Sequence, residues 1–284
     1  MTLSKKGKGI SSLITASLLW GTSFPAIKIS VSNVNELTYT WTRAGFALIF
    51  LLPYVIANRK KIDKKVMKGG ILAGSTYAIG IWLQGWGTRY TTASNSAFIT
   101  GLYMVFVHAY IAILVRRYSK KLSLSLILAL TGLYLLTRPD MHLNVGDFLV
   151  LLSAFLWAAN ILIIDRYADK DPLLITFFEM IPSVFFLMPD ISLNGFPTLN
   201  IDQFAVLMYL GFVCSDGATV FQVYGQRFIE PAAASVIYLI EPVSASLFSF
   251  ALLGEVMNPY QLSGATFILL AMAIASTEKI IVKD

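Results

Sequence analysis

Between Ile10 and Ile27 the chain carries no charged residue, and this run begins directly behind Lys5, Lys6 and Lys8. A helix needs about 20 apolar residues to cross roughly 30 Å of hydrocarbon. Extended to Ser32, the run has that length. A secretory signal would be shorter and would close on a small-residue cleavage site. Nine more such runs follow, at 37–57, 69–88, 94–115, 122–138, 146–166, 172–189, 203–225, 231–253 and 259–281. The spacing predicts an all-α membrane protein with ten transmembrane helices. The connections are too short for a catalytic domain outside the bilayer.

Composition agrees. Of 284 residues, 56% are apolar and 13% charged, and the mean hydropathy is +0.69. A soluble domain carries about 25% charge. The net charge of +6 does not point to nucleic acid, because the lysines and arginines lie between apolar runs and not on one binding face. A lone Cys214 cannot form an intrachain disulfide, and two histidines give no zinc-site spacing. No cofactor or metal is expected. No phosphate-binding G-x-x-x-x-G-K-[ST] loop occurs either, so this chain is not expected to hydrolyse ATP.

Orientation follows from the basic residues. With the N-terminus inside, the inner segments hold 18 of the 22 lysines and arginines, among them Arg59 to Lys68, Arg116, Arg117, Arg166, Lys170 and Arg227. Only Arg89 and Arg138 fall outside, while Lys28 and Arg43 fall within spans. Both termini are predicted to be cytoplasmic, in the cell's inner membrane.

Sliding the chain by 138 residues lays Gln84-Gly-Trp-Gly-Thr-Arg-Tyr90 on Gln222-Val-Tyr-Gly-Gln-Arg-Phe228. Gln, Gly and Arg coincide. A shift of 137 lays Ser17-Leu-Leu-Trp20 on Ala154-Phe-Leu-Trp157. Each half, 1–138 and 139–284, then holds five spans. An odd number sends the second half in from the opposite side, which predicts two inverted five-helix repeats.

These segments resemble the EamA-type members of the drug/metabolite transporter superfamily. The first span reads Trp20-Gly-Thr-Ser-Phe-Pro-Ala-Ile-Lys28, Arg43 stands in the second, and the ninth reads Ala234-Ser-Val-Ile-Tyr-Leu-Ile-Glu-Pro-Val243, followed by Leu253-Gly-Glu255. The resemblance implies a secondary transporter, often an exporter, of amino acids or similar metabolites, working by alternating access. The halves differ where Tyr103-Met104 replaces Glu241-Pro242, and where Arg116-Arg117 replaces Gly-Glu. The fourth helix is therefore expected to lack the kink of the ninth.

An ionisable group inside a bilayer costs about 2.5–3.5 kcal/mol by insertion scales, so it faces a cavity or a partner. Glu241 lies near the midplane beside Pro242, where it is placed to bind a substrate amine or to carry a proton. Glu179 and Arg43 nearly correspond under the repeat, as a gate or ion pair. Asp216 lies mid-span, and Lys28 lies near enough to the surface to snorkel. Tyr238 shares a helix face with Glu241, and Trp157 with Asn160. With Trp20, Tyr77 and Tyr103, these aromatic and polar groups suit an amino-acid-like ligand through cation–π and hydrogen-bond contacts. Each has a plainer reading as core packing. Trp86 and Tyr224 fit an interfacial belt, and His108 fits a hydrogen-bonded core position. Gly69, Gly70, Gly74 and Ala78 form a face for close helix approach.

The expected partners are the lipid bilayer, a small-molecule substrate and protons as the candidate coupling ion. Two other classes stay open. A passive facilitator or channel would lack saturable counterflow. An integral-membrane lipid-modifying enzyme would cluster His, Asp or Glu at one membrane face, and no such cluster is evident.

Overall fold

The computed structural model describes residues 4–91, 93–115, 119–137, 144–253 and 258–277, all helix or short connection. In chain order the helices are α1, Lys5–Asn33; α2, Glu36–Ala57; α3, Lys64–Tyr90; α4, Ser96–Leu114; α5, Lys120–Thr137; α6, Val145–Tyr167; α7, Pro172–Asn194; α8, Ile201–Gln226; α9, Pro231–Phe248; and α10, Pro259–Ser276. Among the described residues eight of them, all but α5 and α10, are long and apolar enough to cross a membrane. The fifth and tenth predicted spans fall on α5 and α10. Residues 138 and 278–281 of those spans lie outside the described residues, as do Arg116, Arg117, Arg138, Gly254, Glu255, Lys279 and Lys283.

Polar punctuation sets the starts. Asn35, Asp63, Asn144, Asp171, Asn200 and Asn258 each accept a backbone N–H from the first turn of the helix that follows. Such caps satisfy donors that helix geometry leaves free. Asn144, Asn200 and Asn258 complete capping boxes with Asp147, Gln203 and Gln261.

Proline and glycine set the interruptions. α1 breaks at Thr22, between Gly21 and Ser23, because Pro25 has no N–H for the Gly21 carbonyl and its ring crowds that group. α9 breaks at Tyr238–Leu239 for the same reason, with Pro242 four residues past Tyr238. There the ladder tightens to Leu239 N→Val236 O and Glu241 N→Tyr238 O. Contrary to expectation, α4 is broken too, at Leu102, despite having no proline. Its bonds tighten in the same way, Leu102 N→Ile99 O and Val105 N→Leu102 O. Gly101, a poor helix former, stands at the break. In α8, residues 210–217 widen into a π-helical turn.

α3 is the hub, packed on α6 and α7, while α1 packs on α8 and α9, and α5 on α10. The glycine face on α3 makes its contacts possible. A Cβ on Gly70 would lie 2.3 Å from Phe178 Cβ, and one on Gly74 2.4 Å from the Glu179 carbonyl. Small residues let backbones approach this closely. On the outer surface Ile49, Phe50, Ile113, Ile127, Phe155 and Leu270 are exposed. An apolar surface of this kind is suited to lipid.

α2 and α7 pack together and are clasped at both ends. At one end Asn35 Nδ2, Thr38 Oγ1 and Trp41 Nε1 donate to the Asp190 carboxylate at 3.0, 2.6 and 2.7 Å. At the other, Tyr54 Oη donates to Asp171 Oδ2 at 2.9 Å, with Lys61 Nζ 3.9 Å away. Each N-cap residue thus bonds the far end of the neighbouring helix, so the pair is antiparallel. The Asp171 end also gathers Lys170 beside Asp63 and Arg227. The Asp190 end holds Arg89 beside Glu36.

Candidate functional site

The breaks in α1, α4 and α9 surround a cavity of about 50 Å³. Trp20, Ser23 and Ile27 come from α1, Arg43 from α2, and Tyr77, Ile81 and Gln84 from α3. α4 supplies Thr100 and Tyr103; α6 supplies Trp157, Asn160 and Ile161; α8 supplies Gln222; α9 supplies Tyr238 and Glu241. The break in α9 places Glu241 at the start of a half-helix, behind Pro242, with its side chain on the cavity wall.

Arg43 is buried and donates only to neutral acceptors: Nε to Ser215 Oγ at 3.0 Å, Nη1 to Tyr39 Oη at 2.5 Å and Nη2 to the Leu210 carbonyl at 3.3 Å. Two of its five N–H groups are left over. The Glu241 carboxyl group, on a residue 8% exposed, makes no hydrogen bond or ion pair with the described residues. Among the described residues Tyr103 Oη and Trp157 Nε1 are donors without acceptors. Tyr77 Oη is held by Ser215 at 2.8 Å, and Trp20 Nε1 by the Cys214 carbonyl at 3.0 Å. The rings pack edge to face, Trp20 on Tyr238 and Tyr77 on Trp157, each pair with centroids 5.4 Å apart. That packing fixes their orientation.

A relay of amides runs back from the wall. Tyr238 Oη donates to Gln226 Oε1 at 3.2 Å, and Gln222 Nε2 bridges Gln226 Oε1 and Asn160 Oδ1. Asn160 Nδ2 then reaches Glu179 Oε1 at 2.7 Å. Glu179 is fully buried and stands behind the wall, not on it.

Seven residues read from the sequence as ligand-facing, Trp20, Tyr77, Tyr103, Trp157, Asn160, Tyr238 and Glu241, meet at this one cavity, and so does Arg43. Asp216 is not on the wall. No ion pair joins Arg43 to Glu179 among the described residues, since Arg43 is occupied by Ser215, Tyr39 and Leu210. Lys28 does not snorkel. Its ammonium caps α3 by donating to the carbonyls of Thr88, Arg89 and Thr91 at 2.8, 3.2 and 2.8 Å. His108 is a buried core residue 3.2 Å from the Ala232 carbonyl.

The matching of whole sequences decides the family. Residues 7–138, and again residues 144–277, match the sequence model of the EamA-like transporter family. The chain belongs to the EamA-like transporter family. An uncharacterized transporter of Archaeoglobus fulgidus is 30% identical to this EamA-like chain over 268 residues, covering 93% of it and 84% of the relative. A second uncharacterized transporter from that organism is 24% identical over 274 residues, covering 95% and 97%. A solved crystal structure of a protein shares the fold alone, with a TM-score of 0.77 at 13% identity over 94% of this chain and 96% of that one. The EamA-like protein is a multi-pass membrane protein of a family that transports small molecules.

Four polar wall residues of the EamA-like chain were not singled out by sequence: Ser23, Gln84, Thr100 and Gln222. Two of them were in view. Gln84 and Gln222 coincide when the chain is slid along itself, and both turn out to face the cavity. A polar identity kept between apolar spans is a signal of that kind. Thr100 carries none by itself, since what matters is its bond from Gln84 Nε2 at 3.0 Å.

Proposed function

We propose that this chain is a secondary active transporter that carries amino-acid-like zwitterions, in the export direction, across the cytoplasmic membrane. The observation behind the substrate class is one pairing of charges. Arg43 with spare N–H groups and Glu241 with no partner face the same cavity, which is otherwise walled by aromatic rings. A carboxylate suits the guanidinium, an ammonium suits Glu241, and the rings of Trp20, Tyr77, Tyr103, Trp157 and Tyr238 suit an apolar or aromatic side chain.

The transport mechanism we propose is alternating access between two inverted five-helix repeats, with ten spans and both termini cytoplasmic. Three features support it. Broken helices at a midplane cavity are typical of transporter sites, where interrupted backbone is tolerated only along a cavity. Helix pairs recur under exchange of each helix for the one five places on: α3 with α6 answers α8 with α1, and α4 with α6 answers α9 with α1. The two clasps also correspond, because Asn35 and Tyr54 lie 136 residues before Asp171 and Asp190. In this reading Glu241 exchanges a proton for the substrate ammonium as the halves rock.

Counterflow in proteoliposomes tests the proposal. Vesicles loaded with an unlabelled neutral amino acid should accumulate the labelled one, saturably, and Arg43→Gln should lose this while still folding. Uptake linear in concentration, with no counterflow for any amino acid tried, would mean a passive pore or a different cargo.

A further inference from the structure

Three residues of the cavity wall are held from behind by one short stretch of α8. Arg43 donates through Nη2 to the Leu210 carbonyl at 3.3 Å and through Nε to Ser215 Oγ at 3.0 Å. Tyr77 Oη donates to the same Ser215 Oγ at 2.8 Å. Trp20 Nε1 donates to the Cys214 carbonyl at 3.0 Å. Leu210, Cys214 and Ser215 are fully buried and are not on the wall themselves.

The stretch is the π-helical turn at 210–217, and its width makes the arrangement possible. Ser215 Oγ donates to the Leu210 carbonyl, five residues back, at 3.1 Å. In an ordinary α-helix a serine hydroxyl reaches back three or four residues. A π-turn closes on the fifth residue, which brings the Leu210 carbonyl and the Ser215 hydroxyl to one point. The one hydrogen of that hydroxyl is spent on Leu210, so both of its acceptor positions are left for Arg43 and Tyr77. Its capacity of one donor and two acceptors is then full.

We propose that Ser215 is the positioning residue that gives the substrate site its preference for a carboxylate. It acts through Arg43 and touches no substrate itself, so the role rests on the reading of Arg43 as the partner of the substrate carboxylate. A guanidinium recognises a carboxylate through N–H groups fixed in one plane, and its selectivity depends on how that plane is turned. Tyr39 Oη, the Leu210 carbonyl and Ser215 Oγ take one N–H each from Nη1, Nη2 and Nε. One N–H on each terminal nitrogen is left for a ligand. Ser215 also ties the plane to Tyr77, whose ring is packed edge to face on Trp157. Without the hydroxyl, Arg43 Nε and Tyr77 Oη both lose a buried acceptor. The guanidinium should then turn toward other acceptors and carry its free N–H groups out of register with the cavity.

Binding to the purified full-length protein in detergent is the test, read by tryptophan fluorescence because Trp20 and Trp157 line the cavity. The probes are leucine, methionine and phenylalanine, each compared with its own carboxamide, which keeps the ammonium and the side chain but loses the negative charge. Wild type should bind the acids more tightly than the amides. Ser215→Ala should lower that ratio on the order of tenfold, the effect of losing one hydrogen bond to a charged group, while affinity for the amides stays within about twofold of wild type. Ser215→Cys, whose sulfur accepts only weakly, should lower the ratio in the same direction and serves if the alanine variant does not fold. A merely structural role would weaken acids and amides alike and leave the ratio unchanged, and that result overturns the proposal. Wild type that binds acids and amides equally overturns the carboxylate reading of Arg43 and the positioning role with it. Wild type that prefers the acids, with the same preference in a folded Ser215→Ala, overturns the positioning role alone.

Discussion

Arg89 and Arg227, on α3 and α8, make the same pair of bonds at opposite ends of the molecule. Arg89 donates through Nε and Nη2 to the carbonyls of Val31 and Val34, at 3.0 and 2.6 Å, where α1 ends. Arg227 donates through the same two nitrogens to the carbonyls of Ala168 and Lys170, at 2.8 and 2.6 Å, where α6 ends. Free carbonyls at a helix C-terminus attract cations, and two directed bonds fix the chain leaving it. Arg89→Ala and Arg227→Ala should each lower stability by about 1–3 kcal/mol. Thermal unfolding in detergent checks this, and the two losses should add, because the sites lie far apart.

Topology is open to labelling. Cys214 is the one cysteine of the chain and is buried, so Cys214→Ser provides a thiol-free background. In that background Thr198→Cys should react with an impermeant maleimide applied to intact cells, and Lys60→Cys only after lysis. The reverse result would reject the orientation drawn from the basic residues.

Glu241 carries the proposed proton exchange. Glu241→Gln keeps the shape and removes the charge, so the variant should still exchange labelled substrate but should lose acceleration by a pH gradient. Equal responses of wild type and variant in proteoliposomes would reduce Glu241 to a structural residue.

The Asp190 clasp gives a gating prediction. Asp190→Ala leaves Asn35, Thr38 and Trp41 without their shared acceptor, so the ends of α2 and α7 should part more often. Ser23→Cys on the cavity wall should then label from outside on the order of tenfold faster, the effect of losing about 1.4 kcal/mol of closure. Unchanged labelling would show that this end does not open.

Much of the site was legible in the sequence because a bilayer makes polarity expensive. Glu241, Arg43 and Asn160 stood out against apolar spans, and the cavity is where such groups are tolerated. Less legible was anything decided between helices. Glu179 and Arg43 look like an ion pair along the sequence, yet Ser215, Tyr39 and the Leu210 carbonyl reach the guanidinium instead. The break in α4 has no proline to announce it, and Gly101 carries a weaker signal. Asp216 looks ligand-facing in the sequence because it lies mid-span, but depth does not say which face of a helix a residue is on. The π-helical turn at 210–217 changes that face without any mark in the sequence.

The two clasps on α2 and α7 are unequal. Asp190 holds three donors from α2, whereas Asp171 holds the Tyr54 hydroxyl and a loose contact to the exposed Lys61. Two additional hydrogen bonds amount to about 2 kcal/mol at ordinary net strength, and an exposed ion pair adds little. In a rocking cycle the Asp171 end would therefore part first, and the ratio of resting times would be on the order of thirtyfold. Under the proposed export cycle an empty carrier would wait open at its Asp171 side, the cytoplasmic face in that proposal, ready to load where an exported compound is made.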